Sequence, residues 1–295
     1  MAVFYILVIM LMRVVQSLYN KRACLALPDG MGAYIDYLTL SNVLAAAFAA
    51  VSLVISADFS GFNAEAFVIA MFSGTFLALG SYCGIKALLG GTIVLSSICS
   101  TAGLIVPCIL GAIFLNEPMS PIQIVFIAVL LFSTVLLMKS SHDLFGSLTP
   151  KTVLCLFGNF FTNGMVMFCQ KLFGIRQPSG NVSLFSMLTF LIPAVMLAVI
   201  SLTIHAKGQE NAQKLPKKIW VYAAFLAFAV FVIQQFVTLL SPKVSSAVLF
   251  SFVNGGATVI AAAVGAAVYR EKLTLRSSVG IVLAVASMIC IKIFE

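Results

Sequence analysis

The chain is built from apolar runs about twenty residues long, and such runs leave a chain few ways to fold. A helix needs ~20 apolar residues to cross the hydrocarbon core of a bilayer. Runs of this kind fall near residues 2–23, 37–57, 64–87, 92–115, 121–139, 152–172, 182–204, 218–240, 245–269 and 276–293. Charge is scarce: only 9% of the 295 residues are Asp, Glu, Lys or Arg, against ~25% in an ordinary soluble domain. The mean hydropathy is +1.14. Inside lipid only helices and closed barrels satisfy their own backbone, and the alternating pattern of barrel strands is absent. The prediction is an all-α integral membrane protein with ten transmembrane helices and no separate soluble domain. Most connections are very short, so consecutive helices become antiparallel neighbours. The two longest, 24–36 and 205–217, carry Pro, Gly and charge.

The formal charge of +8 raises nucleic acid as a partner, but its placement argues against that. Lys and Arg sit singly or in small groups at the ends of apolar runs, where such side chains anchor helices at headgroup level. The seven cysteines (Cys24, Cys83, Cys99, Cys108, Cys155, Cys169 and Cys290) show no metal-ligand spacing and lie mostly within apolar runs, where Cys acts as a small hydrophobe. They predict neither disulfides nor a metal or redox site. The first run has no basic residues before its apolar core, unlike a signal peptide, and reads as a retained first helix.

An internal repeat organises the runs. At an offset of 154 positions, Asn116-Glu117-Pro118-Met119-Ser120 falls on Arg270-Glu271-Lys272-Leu273-Thr274, and Gly103, Pro107 and Gly111 fall on Ala257, Ala261 and Gly265. At an offset of 150, Arg13, Asn20 and Lys21 fall on Asn163, Gln170 and Lys171. Two halves of five helices follow, residues 1–141 and 150–295. Five is odd, so the second half enters the membrane from the opposite side. The expected arrangement is two inverted five-helix repeats, which form alternating-access transporters with a substrate site near the midplane.

These residues resemble the EamA-like transporter family of the drug/metabolite transporter superfamily. Each half in that family ends with a helix carrying a Pro or small residue, a Gly-Glu-Arg-Leu-Ser-like turn and a last helix. Here the turns read Phe114-Leu115-Asn116-Glu117-Pro118-Met119-Ser120 and Val268-Tyr269-Arg270-Glu271-Lys272-Leu273-Thr274, and Tyr82…Ala87-Leu88 precedes the fourth helix. Asn116 and Arg270 replace the usual Gly. The resemblance covers the whole chain and implies ten helices, transport of metabolites or amphipathic compounds, and no cofactor. It also implies that Glu117 and Glu271 brace their turns, by capping a helix or pairing with Lys or Arg.

Arg13 is the leading candidate for substrate binding. It lies about eleven residues from either end of its run, and an Arg at mid-bilayer costs ~2.5–3.5 kcal/mol on insertion scales. Gln16 and Ser17 share its face by spacing. Either Arg13 binds a carboxylate or phosphate of the substrate, or it is a structural Arg bonded within the bundle. No Asp or Glu falls at mid-depth to pair with it, which favours the first. Asn163, the repeat partner of Arg13, shares a face with Asn159 and Thr162. Matched polar positions are Ser97 with Ser251, Ser100 with Asn254, and Ser81 with Gln235, and Gln234 and Tyr82 add donors. A polar residue in a span can also simply join helices.

The same scarcity of carboxylates favours facilitated diffusion or exchange over proton antiport. The sequence therefore predicts a secondary transporter of a small anionic or zwitterionic metabolite, multi-pass in a bacterial inner membrane. Its partners would be a small-molecule substrate and the lipid bilayer, with a homodimer left open. Efflux of amphipathic drugs is the alternative within transport. A receptor or a lipid-modifying enzyme is the alternative outside it, although the two histidines, His142 and His205, lie in or beside loops and no paired carboxylates occur. Orientation is in conflict. Twelve basic residues fall on the side away from the termini and four on the other, which puts the termini outside, whereas the family resemblance puts them in the cytoplasm.

Overall fold

In the computed structural model the described residues are 2–28, 30–56, 63–89, 93–137, 149–206, 215–269 and 274–295. All regular structure among them is helical. In chain order the helices are α1 (Ala2–Ala26), α2 (Met31–Ser56), α3 (Ala64–Leu89), α4 (Ile93–Ala102), α5 (Ile105–Phe114), α6 (Pro121–Leu137), α7 (Pro150–Arg176), α8 (Val182–Ala206), α9 (Lys217–Leu240), α10 (Ser246–Ser251), α11 (Ala257–Tyr269) and α12 (Leu275–Ile293). A π-helical turn, Phe252–Gly256, joins α10 to α11. Eight stretches are long and apolar enough to cross a membrane, and two further apolar stretches, Ile98–Phe114 and Pro121–Leu137, are shorter. The chain is a multi-pass α-helical membrane protein.

Local chemistry sets several of the boundaries. The first amides of a helix need acceptors. The Asn63 side chain accepts from the Ala66 amide, that of Asn181 from Leu184, and those of Thr149 and Thr274 from Thr152 and Ser277. At α6 the Gln123 side chain reaches back to the Ser120 amide while the Ser120 hydroxyl accepts from Ile122. Asn116 sits at φ 52°. That left-handed conformation suits Gly or Asn and penalises other side chains, so Asn can stand where the resembled family has Gly.

The outer surface is apolar and the interior partly polar. Phe4, Leu11, Phe72, Phe157 and Leu202 are exposed, while Ser41, Thr134, Gln170 and Lys171 are buried. This distribution suits a lipid solvent, where small and polar residues join helices from within. α2 packs along α8 and α6 along α12. α3 packs on α7 and α8, and α9 packs on α1 and α2. The segments α4 and α5 lie against α7, while the π turn and α11 lie against α1.

Three helices depart from the expected runs. The run expected over 92–115 is divided by a turn at Gly103 and Leu104 into α4 and α5. The division lets α7 come very close: a Cβ on Gly164 would lie 2.4 Å from the Gly103 carbonyl oxygen, and one on Gly103 would lie 2.9 Å from that of Phe160. The run expected over 245–269 widens into the π turn, where a Cβ on Gly256 would lie 2.2 Å from Met10 Cε. The run expected from residue 37 starts earlier, at Met31, just after Gly30 at φ 138°. Asp36 is therefore part of α2 and not of the preceding loop.

Candidate functional site

Arg13 lies midway along α1, eleven residues from Ala2 and thirteen from Ala26, which at 1.5 Å per residue is ~17 and ~20 Å from the helix ends. Its Nη1 donates to Gln16 Oε1 over 3.2 Å. Its Nε is buried and has no hydrogen-bond partner among the described residues. A guanidinium offers five donors and no acceptor, so this one has donors left over among the described residues. Ser17, expected on the same face, is exposed instead and does not join the site.

The π turn lies against α1, the helix of Arg13. Met10, one turn before Arg13, packs on Gly256. On its other side the turn reaches α7, where Asn254 Nδ2 approaches Met167 Sδ at 3.7 Å and donates to the Phe250 carbonyl at 3.1 Å. The Ser251 hydroxyl, just before the turn, is buried without a partner among the described residues. A π turn frees backbone and side-chain groups from the regular ladder and recurs at functional sites. Here it bridges the helix of Arg13 and the helix of Asn163.

Asn163 and Asn159 are engaged with α4. Asn163 Nδ2 donates to the Ser100 carbonyl at 3.0 Å and to the Ser100 hydroxyl. Asn159 Nδ2 donates to the Ser96 carbonyl at 3.1 Å and hydroxyl at 3.4 Å. These bonds hold α4 to α7 just ahead of its break. Thr162, expected on the same face, turns towards α3: its hydroxyl donates to the Gly158 carbonyl, and a Cβ on Gly80 would lie 2.8 Å from its oxygen. No hydrogen bond links Arg13 to Asn163 among the described residues. The Ser97 side chain lies outside them.

The remaining candidates form a second polar group on α9. Gln170 Nε2 on α7 donates to Gln234 Oε1, and Gln234 Nε2 is buried without a partner among the described residues. Gln235 Nε2 donates to Ser183 Oγ at 3.1 Å, and Ser183 Oγ is 2.9 Å from Ser52 Oγ. This chain of contacts joins α7, α9, α8 and α2 towards one end of the bundle. Tyr82 stands apart from both groups, with Lys86 Nζ 4.7 Å from its ring centroid.

At the same end Glu117 makes two contacts. Its Oε2 accepts from the Ser246 amide at 2.9 Å, at the start of α10, and its Oε1 lies 2.6 Å from Lys171 Nζ. Lys171 is 1% exposed and also donates to the carbonyls of Ser241 and Val244, each at 2.6 Å. Glu117 thus ties the α5–α6 turn to α7, to the end of α9 and to the start of α10. A cation at the end of α9 is also favoured by the helix dipole. Glu271, with Gly91, His142 and the turn Arg270–Leu273, lies outside the described residues. None of the groups of His, Cys, Asp and Glu among the described residues could hold a metal ion.

The sequence places Lys171 among the cations at span ends and no carboxylate at mid-depth in a span. Lys171 and Asp36 are the residues that reading missed. The burial of Lys171 depends on carbonyls seventy or more positions away, for which no local signal exists. Asp36 was missed through the late start given to α2.

No protein-family model matches the chain, and no curated protein matches it. A solved crystal structure, described only as that of a protein, is similar over 98% of this chain and 95% of its own, with a TM-score of 0.79 and 12% sequence identity. That likeness establishes the fold: the chain folds, nearly end to end, as that protein does.

Proposed function

We propose that the chain is a secondary transporter of a small anionic or zwitterionic metabolite, working by alternating access. Its plan is that of the EamA-like drug/metabolite transporters, with ten spans in two inverted halves, residues 1–141 and 150–295. In this reading α4 with α5 forms one span, and α10, the π turn and α11 form its counterpart in the second half.

One observation carries the proposal. The two irregular helices fall at matched repeat positions, since Gly103 corresponds to Ala257, immediately after the π turn. Each lies against the first helix of the other half, α4 and α5 on α7, and the π turn and α11 on α1. Interrupted helices at corresponding positions of inverted halves mark the substrate site of such transporters. The packing agrees. Exchanging α1 with α7, α2 with α8 and α3 with α9 turns the α3–α7 contact into α9–α1 and the α3–α8 contact into α9–α2, and both members of each pair occur.

The charge of the substrate follows from Arg13. Its guanidinium lies at mid-helix with a buried, unpartnered Nε, and no carboxylate among the described residues pairs with it. A cationic drug would be repelled there, so the site suits a carboxylate or phosphate. In proteoliposomes, Arg13→Ala abolishes uptake of the anion that the wild type carries, while the variant still purifies as a folded monodisperse protein. Unchanged uptake of every anion carried by the wild type would overturn the proposal.

A further inference from the structure

Asp36 on α2 meets two polar groups of α8. The Ser201 hydroxyl donates to Asp36 Oδ1, and His205 Nε2 lies 3.7 Å from Asp36 Oδ2. His205 Nδ1 is 2.9 Å from the Ser201 carbonyl oxygen and 3.2 Å from its hydroxyl. A carbonyl only accepts, so Nδ1 carries a proton in this arrangement. The nitrogen left to titrate is Nε2, which faces the carboxylate. Both side chains are about a quarter exposed, 24% for His205 and 27% for Asp36, and His205 lies one residue from the end of α8.

The same helix pair is joined differently ~24 Å away, sixteen residues along α2. There Ser52 Oγ meets Ser183 Oγ at 2.9 Å and Gln235 Nε2 donates to Ser183 Oγ. Those groups do not change charge in the physiological range. The two ends of the α2–α8 contact are therefore chemically unequal. A ligand shifts an equilibrium between two states only by its differential affinity for them, and a proton meets that condition at one end alone.

We infer that Asp36, Ser201 and His205 form a proton-binding site that latches α2 to α8 at one end of the bundle. A proton taken from water onto His205 Nε2 converts the imidazole to an imidazolium that pairs with the Asp36 carboxylate and holds the helices together. Release of that proton to water leaves two acceptors, Nε2 and Oδ2, facing each other, and this end loosens. Acid thus favours closure at the Asp36 end, and neutral to alkaline pH favours opening there. The consequence for substrate movement rests on the transporter reading; the proton site itself does not.

Other charged and titratable groups occur at this end of the neighbouring elements. They are Tyr82, Cys83 and Lys86 on α3, Lys217, Lys218 and Tyr222 on α9, and Tyr19, Lys21, Arg22 and Cys24 on α1. On α2 itself, Tyr34 donates to the Cys24 carbonyl and Tyr37 to Asn20 Oδ1. Among the described residues no lysine or arginine pairs with Asp36. Of the side-chain types named here, histidine is the one whose ordinary charge change falls between about pH 5 and pH 8.

The test is hydrogen–deuterium exchange of the full chain in lipid nanodiscs, with no substrate, at about pH 5.5 and about pH 8, the edges of the histidine range. After correction for intrinsic rates, peptides covering 31–40 and 197–206 should exchange about three- to fivefold more slowly at the acid pH, the size expected of a partly exposed ion pair. Peptides covering 48–56 and 182–190 should not respond. H205Q and D36N should each lose the pH response at the Asp36 end, whereas S52A should keep it. An equal response at both ends would overturn the inference, as would a wild-type response in both H205Q and D36N. Because no substrate is involved, these outcomes stand apart from the Arg13 uptake test.

Discussion

Glu117 is the residue whose removal tests the packing account most sharply. Lys171 Nζ is buried among three oxygens, those of Glu117, Ser241 and Val244, each at 2.6 Å. Glu117→Gln takes away the only negative charge among them while keeping a carbonyl oxygen for the Ser246 amide. Breaking a buried ion pair from one side costs ~3–5 kcal/mol. Two carbonyl acceptors remain here and Glu117 is 22% exposed, so about 2–3 kcal/mol is expected, towards the lower end. Lys171→Met removes the buried cation and leaves a carboxylate that can reach water and still accepts from Ser246. Its cost is expected to be smaller, about 1 kcal/mol. The double variant should then resemble Lys171→Met alone, giving a coupling of about 2–3 kcal/mol. Reversible unfolding in SDS-containing bicelles measures all four corners of the cycle. Single effects that add to within ~0.5 kcal/mol, or a Glu117→Gln variant as stable as wild type, would refute the reasoning.

Three further variants probe the helix break and the turn at Asn116. Gly164→Ala places a Cβ 2.4 Å from the Gly103 carbonyl oxygen and 2.5 Å from Val106 Cβ; backbone cannot yield as a side-chain tip can, so thermal unfolding in detergent should show a loss of about 3 kcal/mol, the upper end for overpacking. Asn116→Gly should be neutral or slightly stabilising at φ 52°, and Asn116→Val should lose about 1–2 kcal/mol in the same assay.

The parts of the fold that depend on local chemistry were legible in the sequence. Apolar runs located the helices, and the match between the segments around residues 116–120 and 270–274 singled out Glu117 without any knowledge of its partner. Parts that depend on distant segments were not legible. The sequence around Gly103 reads as continuous apolar helix; its break answers to the backbone of Phe160 and Gly164 on α7. Lys171 looks like any cation near a helix end until Ser241, Val244 and Glu117 surround it. Asp36 was hidden by hydropathy, since a carboxylate lowers the local average and pushes an apparent span beyond itself. The positioning of Arg13 was clear from its depth alone, but Asn163, at the matching position in the sequence repeat, is engaged differently: its amide is taken up by Ser100.

The most direct test concerns the anion proposed to bind between α1, at Arg13, and the π turn. A thermal-shift screen of anionic metabolites identifies ligands by the stabilisation that binding to the folded state produces, and an experimental structure of the protein with the strongest of them locates the site. The account predicts the anionic group within hydrogen-bond distance of Arg13 Nε, beside Asn254 and Ser251. An anion bound elsewhere, with the Arg13 guanidinium saturated by protein carbonyls, would contradict it.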